Sequence, residues 1–318
     1  MTFNPATTII PAMSLTHSIQ KTIGRFAPSP TGHLHFGSLI AAVASYCMAK
    51  QSGGEWLLRI DDLDQPRVVA GAADIIMHQL ETFGLLWDRS VVYQSERSEI
   101  YRAAIERLKQ VGLTYPCSCS RREILASAPH LGEEGAIYPG TCRHKIQPTN
   151  SSYCTRITTP DNEILFNDGI YGPISQNLAR EVGDFPLQRA DGIFSYQLAV
   201  AVDDHACGVN QVVRGRDLLF STPRQIHLLQ QLGYAIPTYT HIPLVLSLDG
   251  EKISKRHHQV GDSLEQSPST LLYLALDFLG QHPPKDLCAE QPATIVVWAC
   301  SHFNLQHVTP ADRVFPLK

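Results

Sequence analysis

Residues 25–39 read RFAPSPTGHLHFGSL, and this stretch decides how the rest of the chain is interpreted. A strand-like run from Ile23 to Ala27 leads into a turn rich in proline and glycine, and the next segment predicts a helix that begins near Gly37 or Ser38. Backbone N–H groups at a helix N-terminus attract phosphate, and His35 can donate a hydrogen bond to a phosphate oxygen. An ordinary strand, capping turn and helix would give the same pattern, so this interpretation needs other motifs.

A basic segment far downstream is a second candidate phosphate-binding motif. Residues 251–258 read EKISKRHH, with Lys252 and Lys255 on a predicted loop. Nucleotidyl transfer needs positive charge to offset the charge that accumulates at phosphorus, and two mobile ammonium groups could supply it. A solvated basic loop is the alternative, because most short charge runs lie in solvent.

Strands and helices alternate between and around these two motifs. The strand pattern WLLRI ends in three nearby aspartates that begin at Asp61, and amphipathic helices are predicted over Ala72–Phe83 and Ser98–Gln110. After an interruption the alternation resumes at residues 194–218, where we interpret Tyr196 as opening an apolar strand, followed by a helix around Pro223–Leu232. This order predicts an α/β domain with a parallel sheet.

A cysteine cluster marks the interruption. Cys117, Cys119 and Cys142 can supply three thiolates to zinc, which prefers four ligands in a tetrahedron. From the residues alone, the candidates for the fourth position are Cys154, His130 and His144. Five cysteines, counting Cys154, are expected to behave as small apolar side chains.

Composition limits the class of protein. The chain has 318 residues, 43% of them hydrophobic and 18% charged, with a net charge of −4, so an RNA partner would need a local basic surface. No apolar run approaches the roughly 20 residues that span a bilayer. The first twenty residues lack the pattern of a signal peptide. We therefore expect a cytoplasmic protein with no membrane partner.

The motifs together resemble the HIGH and KMSKS signatures of class I aminoacyl-tRNA synthetases. The stretches APSPTGHLHFGSL, RIDDLD, VVRGRDL and EKISKR, in this order, are similar to the glutamyl and glutaminyl branch, from about Ile23 to His257. The resemblance implies a class I Rossmann-like sheet in which His35 and Lys255 are catalytic. It implies that ATP, with Mg²⁺, is bound by His35, Gly37, Lys252 and Lys255. Ser38 stands at the position of the signature's second histidine, so that histidine's role does not carry over.

The same resemblance implies a pocket for L-glutamate. The matching positions are Arg25, Phe26, Ala27, Pro28, Ser29, Asp61, Tyr196 and Arg214. Arginine suits a planar carboxylate, because its guanidinium can engage both oxygens. Related enzymes usually have glutamate where this chain has Asp61, which reaches about 1.5 Å less. Two alternatives stay open: Asp61 as a helix-capping or arginine-pairing carboxylate, and Tyr196 as a core aromatic residue.

The cysteine cluster narrows the resemblance to a family of shortened paralogues, the glutamyl-Q tRNA(Asp) synthetases. That family carries CxC and YxxxC motifs here, which implies one structural Zn²⁺ held by Cys117, Cys119, Tyr138 and Cys142. The stretch between the two motifs is longer than in the family, and a packing role for Tyr138 is the alternative. Only about sixty residues follow Lys255, so we expect no anticodon-binding domain of the usual size.

The resemblance implies activation of glutamate by ATP and transfer to the queuosine base of tRNA(Asp), by a monomer. The alternatives are an ordinary glutamyl-tRNA synthetase and a non-catalytic tRNA-binding paralogue. We expect the chain to be divided into an N-terminal extension (1–20), the first half of the nucleotide-binding α/β domain (21–115), a zinc-binding insertion (116–186), the second half of the α/β domain (187–257) and a small helical C-terminal appendage (258–318).

Overall fold

The computed structural model describes residues 21–132, 135–145, 152–247 and 266–314. The strands are β1 (Ile23–Phe26), β2 (Glu55–Ile60), β3 (Asp88–Tyr93), β4 (Thr114–Cys117), β5 (Leu131–Gly132), β6 (Gly135–Ala136), β7 (Cys154–Ile157), β8 (Glu163–Asp168), β9 (Gly172–Asn177), β10 (Pro186–Gln188), β11 (Gln211–Gly215), β12 (Thr238–Ile242), β13 (Val245–Leu246) and β14 (Arg313–Val314). The α-helices are α1 (Phe36–Gln51), α2 (Ala72–Thr82), α3 (Ser98–Gln110), α4 (Arg121–Ser127), α5 (Leu178–Glu181), α6 (Tyr196–Ala206), α7 (Thr222–Gln231), α8 (Pro268–Phe278) and α9 (Pro292–His302).

A parallel sheet forms the centre of the molecule, as the sequence predicts. β1 pairs in parallel with β2, β2 with β3, and β11 with β12. β11 lies beside β1, because the backbone N–H of Ile23 donates to Asn210 Oδ1 at 2.8 Å and the N–H of Asn210 donates to the Ile23 carbonyl at 3.0 Å. The three-stranded sheet β3-β2-β1 and the sheet that begins β11-β12 thus lie side by side in the order β3-β2-β1-β11-β12, and the order reverses between β1 and β11. Open α/β sheets bind ligands at the carboxyl ends of the strands at such a point.

Helix α1 connects β1 to β2 and begins at Phe36, close to the predicted start. Its N-cap is His35, whose Nδ1 accepts a hydrogen bond from the Ser38 N–H at 3.2 Å. The side chains of Leu39 and Val43 are buried on the face that meets the sheet and the C-terminal helices. Alanine at many other positions lets α1 approach its neighbours closely, because alanine adds little bulk to a good helix former.

Helices α8 and α9 pack on α1. Leu272, Phe278 and Ile295 are buried in the same core cluster as the apolar side chains of α1 and β2. The sequence predicts α8 but only a short mixed segment where α9 lies. No helix within the described ranges is both long enough and apolar enough to cross a membrane.

The segment that contains the cysteines forms a small antiparallel sheet beside the parallel one. β7 pairs with β4 and with β10, and the first pairing places Cys117 opposite Cys154. Next along the chain, β8 and β9 form an antiparallel pair, and β8 also pairs in parallel with β12 through Asp168 and Tyr239. The second half of this segment is therefore joined to the main sheet by β8.

One predicted element is wrong: Tyr196 opens helix α6, where the sequence predicts a strand. Ser195 is the N-cap, and its Oγ accepts a hydrogen bond from the Leu198 N–H at 3.3 Å. The run from Leu198 to Asp204 is buried throughout. A helix buried on every side loses the 3.6-residue alternation of apolar and polar residues, so its sequence resembles a buried strand.

Candidate active site

A cavity of about 410 Å³ lies at the point where the strand order reverses. The β1–α1 turn forms one wall, and the carboxyl ends of β11 and β12 form the other. The predicted residues that line it are Arg25, Phe26, Ala27, Pro28, Ser29, His35, Gly37, Tyr196 and Arg214. The structure thus brings together residues that are nearly two hundred positions apart in the sequence.

A smaller cavity of about 290 Å³ adjoins this one, and Asp61 contributes to its lining. The two cavities share Ser29, Arg67 and Tyr196. Of the other predicted site residues, Lys252 and Lys255 lie outside the described residues.

Arg214 gives the main cavity its charge. Its side chain is 5% exposed, its Nη2 donates to Thr222 Oγ1 at 2.8 Å, and its Nε donates to His241 Nε2 at 3.1 Å. Its Nη1 is buried and has no hydrogen-bond partner among the described residues, and no carboxylate of those residues pairs with it. Burial is the main cause that lowers the pKa of this guanidinium, and nearby Arg25 acts in the same direction. A buried cation without a counter-charge is costly, so the site favours an anionic ligand.

The buried carboxylate of Asp204 holds Arg25 at the same cavity. Its Nε donates to Asp204 Oδ1 at 3.3 Å, and its Nη1 donates to the Val213 carbonyl at 3.4 Å. Asp204 also accepts from Arg59 Nη1 at 2.5 Å. Burial alone would raise the pKa of Asp204. Arg25 and Arg59 lower this pKa by a larger amount, so the net shift is downward. Asp204 is therefore ionised and fixes both guanidinium groups.

Asp61 pairs with an arginine, as one alternative from the sequence proposes. Its Oδ1 accepts from Arg59 Nε at 2.7 Å. Burial raises the pKa of Asp61 to about 6, although Arg59 opposes the shift. The carboxylate also lines the smaller cavity, so pairing with Arg59 leaves it beside space for a ligand.

His35 and Gly37 form one compact unit at the start of α1. A Cβ atom on Gly37 would lie 3.2 Å from His35 Nδ1, which is closer than most side-chain contacts. Glycine at position 37 therefore lets the imidazole ring fold over the first helical turn. Because Nδ1 accepts from the Ser38 N–H, the proton of the neutral ring is on Nε2. Nε2 lies 3.0 Å from Ser38 Oγ, so a ligand that accepts from this nitrogen has to replace the Ser38 hydroxyl.

Several residues that shape the site were missed by the sequence analysis. Arg59 lies between Asp61 and Asp204, and Asp203 is a further acidic neighbour. Asp203 accepts hydrogen bonds from Gln94, Arg97 and Tyr101. The available signal was the Asp203–Asp204 pair inside an apolar run, because buried carboxylates need basic partners. His241 and Thr222, which hold Arg214, gave no signal in the sequence.

A second candidate site lies at the cysteine cluster. The Sγ atoms of Cys117, Cys119 and Cys142 all lie within 4.8 Å of one another. Tyr138 Oη is 3.3 Å from Cys117 Sγ and 3.6 Å from Cys119 Sγ. Tetrahedral zinc with Zn–S bonds of about 2.3 Å separates its sulfur ligands by about 3.8 Å. The three thiols are therefore close enough to share one metal ion, and the cluster does not include Cys154, His130 or His144.

The surroundings of the cluster limit its exposure and its charge. Cys117, Cys142 and Tyr138 are buried, and the Arg156 guanidinium lies 4.1 Å from the centre of the Tyr138 ring. Burial opposes ionisation of Cys142, but hydrogen bonds from Tyr138 and Cys119 lower the pKa of its thiol to about 7. Burial raises the pKa of the neighbouring Cys119 thiol to about 11, so of these two thiols Cys142 is the one that favours the thiolate form that metals bind.

Comparison with known proteins gives one consistent family. Residues 21–281 match the family described as tRNA synthetases class I (E and Q), catalytic domain. The protein is 48% identical to the glutamyl-Q tRNA(Asp) synthetase of Thiobacillus denitrificans over 286 residues, which is 90% of this chain and 94% of that protein. It is also 48% identical to the protein of the same name from Geobacter sulfurreducens over 299 residues, which is 92% and 95% of the two chains.

Solved structures of related fold agree with this. A glutamate tRNA ligase from Elizabethkingia meningosepticum, in complex with its amino acid, superposes with a TM-score of 0.78 at 26% identity. The match covers 94% of this chain and 68% of the ligase. A methionyl-tRNA synthetase from Mycobacterium tuberculosis, at 13% identity and a TM-score of 0.52, shares the fold alone.

Proposed function

Since the chain belongs to the glutamyl-Q tRNA(Asp) synthetase family of class I tRNA synthetases, we propose that it activates L-glutamate with ATP and transfers the glutamyl group to the queuosine base of tRNA(Asp). The family resemblance inferred from the sequence is confirmed. The observation that carries the proposal is the buried Arg214 guanidinium, which borders the cavity with one nitrogen unpartnered and no carboxylate beside it among the described residues.

We propose that Arg214 and Arg25 bind the carboxylates of glutamate and that Asp61 binds its ammonium group. Two guanidinium groups suit a substrate with two carboxylates, because each is a permanent cation that can donate to a carboxylate oxygen. Asp204 accepts from Arg25 and so fixes its orientation before substrate binds. Phe26, Ala27, Pro28 and Ser29 form the wall of the cavity beside them, and Tyr196 stands where the two cavities meet.

In the first reaction step, an α-carboxylate oxygen of glutamate attacks the α-phosphorus of ATP and pyrophosphate leaves. In the second step, a nucleophile of the queuosine base attacks the carbonyl carbon of glutamyl-adenylate and AMP leaves. The work of the protein in the first step is to position the reactants and stabilise charge. We assign to His35 Nε2 a hydrogen bond to a phosphate oxygen, to Gly37 a close approach of the nucleotide, and to Lys252 and Lys255 contacts with the polyphosphate. Mg²⁺ bound with ATP would supply further positive charge to the phosphates. Because ATP and tRNA are both cytoplasmic, these substrates support a cytoplasmic location for the proposed activity.

We further propose that Cys117, Cys119, Tyr138 and Cys142 hold one structural Zn²⁺. The support is that their four side-chain atoms lie close enough to share one ion. Structural zinc sites use four protein ligands and contribute directly to folding free energy. The ion would join β4 to the segment that carries Tyr138 and Cys142.

Zinc content tests this site, and the chain offers a matched control. We expect the purified protein to contain one zinc per chain and the Cys142→Ser variant to contain little or none, measured by atomic emission after gel filtration. The variant should also unfold at a lower temperature, because metal binding free energy is lost from the folded state. The control is Cys154→Ser, since Cys154 lies opposite Cys117 on the neighbouring strand but outside the cluster. Equal zinc content in both variants would contradict the assignment.

Glutamate binding should depend on pH through Asp61. Because burial raises the pKa of Asp61 to about 6, the ionised form that binds an ammonium group predominates above pH 6 and is lost below it. We expect the dissociation constant for glutamate, measured by calorimetry without ATP, to rise about tenfold between pH 7 and pH 5. The Asp61→Asn variant should bind weakly at both pH values. The Asp64→Asn variant, which changes an exposed aspartate of the same cavity, should keep the pH dependence. A flat profile for the unaltered protein would exclude this role for Asp61.

The proposed activation step is tested by ATP–pyrophosphate exchange without tRNA. We expect exchange that requires L-glutamate and is not supported by glutamine or aspartate, because the pocket presents two guanidinium groups at a fixed spacing. Absence of glutamate-dependent exchange would refute the proposed activation step and favour a non-catalytic tRNA-binding paralogue.

A further inference from the structure

Three buried side chains form a continuous line of hydrogen bonds behind the main cavity. Asp168 Oδ2 lies 2.6 Å from His241 Nδ1, and His241 Nε2 lies 3.1 Å from Arg214 Nε. His241 is fully buried, Asp168 is 2% exposed, and both lie where β8 pairs with β12. The line therefore runs from the interior of the sheet to the guanidinium that borders the cavity.

The direction of each hydrogen bond follows from the chemistry of arginine. A guanidinium only donates, so His241 Nε2 must accept and the proton of the imidazole must be on Nδ1. That N–H then donates to the Asp168 carboxylate. Asp168 is held in turn, because its Oδ1 accepts from the backbone N–H groups of Ile170 and Tyr171 at 3.0 Å each. Nδ1 of His241 thus donates to Asp168, and Nε2 faces Arg214 Nε and, at 3.1 Å, the Thr222 hydroxyl, which itself contacts Arg214.

The titration of the two groups agrees with this arrangement. Burial lowers the pKa of His241 to about 4, although the hydrogen bond to Asp168 opposes the shift, so the imidazole is neutral at physiological pH. Burial alone would raise the pKa of Asp168. Hydrogen bonds from His241 and from two backbone N–H groups lower this pKa by a larger amount, so the carboxyl is ionised.

We infer that His241, oriented by Asp168, is a positioning residue that fixes Arg214 for substrate without neutralising its charge. Together with Thr222 Oγ1, which accepts from Nη2 at 2.8 Å, His241 occupies the Nε and Nη2 edge of the guanidinium. Nη1 is left without a partner among the described residues. A carboxylate in direct contact with Arg214 would hold it equally well but would compete with the carboxylate of the substrate. Because the His241 imidazole lies between them, the charged Asp168 carboxylate does not contact the Arg214 guanidinium directly.

This inference rests on the proposed function, because it assigns the freed donor of Arg214 to glutamate. It also predicts which substrate is affected: removing the His241 Nε2 acceptor should weaken the binding of glutamate but not the binding of ATP. The loss of one neutral hydrogen bond to a buried donor is expected to change affinity about tenfold.

Two substitutions at position 241 separate positioning from packing. His241→Gln places an amide oxygen near the position of Nε2, where it can accept from Arg214. His241→Asn keeps a donor near the position of Nδ1 for Asp168 but removes the acceptor for Arg214. In ATP–pyrophosphate exchange we expect His241→Asn to raise the KM for glutamate about tenfold with little change in the KM for ATP, and His241→Gln to stay within about threefold of the unaltered protein.

A second pair of variants decides the question if position 241 does not tolerate substitution. Thr222→Ser keeps the hydroxyl that accepts from Arg214 Nη2, whereas Thr222→Val removes it at nearly the same volume. We expect a severalfold rise in the KM for glutamate only for Thr222→Val. Thermal unfolding of each variant shows whether it is folded under the assay conditions.

The outcomes distinguish this inference from the proposed function. Equal effects within both pairs, or parallel rises in the KM for glutamate and ATP, would overturn the positioning role while leaving the activity of the unaltered protein intact. An unaltered protein without glutamate-dependent exchange would overturn the proposed function, and the role of His241 toward glutamate with it.

Discussion

Replacement of Arg214 by alanine is expected to lower kcat/KM for glutamate in ATP–pyrophosphate exchange by roughly 100- to 1,000-fold. The guanidinium is buried beside the cavity, and no described carboxylate pairs with it. A substrate carboxylate would supply the missing charge, so removal of Arg214 would leave that carboxylate in a desolvated site without a partner. The loss should appear mainly as a higher KM for glutamate, with a smaller change in the KM for ATP.

Two further variants sharpen this prediction. Arg214→Lys keeps the positive charge but cannot donate to His241, Thr222 and a substrate in one plane, so we expect an intermediate loss. Arg180→Ala removes an exposed arginine that pairs with Asp161 and does not line the cavity, and it should leave exchange unchanged. An Arg214→Ala enzyme with an unaltered KM for glutamate would show that another group binds the carboxylate.

Substitution of Asp204 by asparagine should cost about 3–5 kcal/mol of the free energy of unfolding. Asp204 accepts from both Arg25 and Arg59, and all three side chains are buried. Asparagine preserves the shape but removes the charge, so two buried guanidinium groups would share the remaining acids. Urea denaturation at pH 7 measures the loss as a lower transition midpoint with an unchanged slope.

The effect should depend on pH with a definite sign. Because Arg25 and Arg59 hold the pKa of Asp204 below its ordinary value in the folded state, its stabilisation is present at neutral pH and is lost as the pH falls through the folded pKa. The difference in stability between the unaltered protein and Asp204→Asn should therefore shrink in acid. Asp191→Asn, which changes an exposed ion pair with Arg189, is the control and should alter stability by less than about 0.5 kcal/mol. A loss of that small size for Asp204→Asn would mean that the buried network is unimportant.

The sequence predicted the parallel sheet and the position of its ligand crevice, because short motifs mark the ends of the strands that form it. Arg25 and Arg214 line the same cavity. The side chain of Arg25 donates to the carbonyl of Val213, which lies 188 positions further along the chain and directly precedes Arg214. The residues that support these arginines could not be found in this way. Asp204 lies in a helix where the sequence predicts a strand, and His241 reaches Arg214 only because β12 lies beside β11.

The cysteine motif was informative for a similar reason. Three thiols and Tyr138 meet because β4 and the loop that follows Tyr138 converge, and the sequence alone also allowed Cys154, which lies opposite Cys117 but outside the cluster. Cys154 shares a face of the sheet with Cys117 as its directly opposed partner, so which thiols meet depends on where the Tyr138–Cys142 segment folds, and spacing in the sequence does not determine it. The identity of the metal, the monomeric state and the five-segment division of the chain stay predictions.

The central claim is that glutamate activated in this cavity is transferred to queuosine in tRNA(Asp). The most direct measurement supplies labelled glutamate and ATP together with tRNA(Asp) carrying queuosine, tRNA(Asp) lacking it, or tRNA(Glu). We predict that label enters only the tRNA(Asp) that carries queuosine, and that the Arg214→Ala enzyme labels this tRNA at least about 100-fold more slowly at glutamate concentrations below its KM. Equal label in tRNA(Asp) with and without queuosine would contradict the claim, and label in tRNA(Glu) would also identify the protein as an ordinary glutamyl-tRNA synthetase.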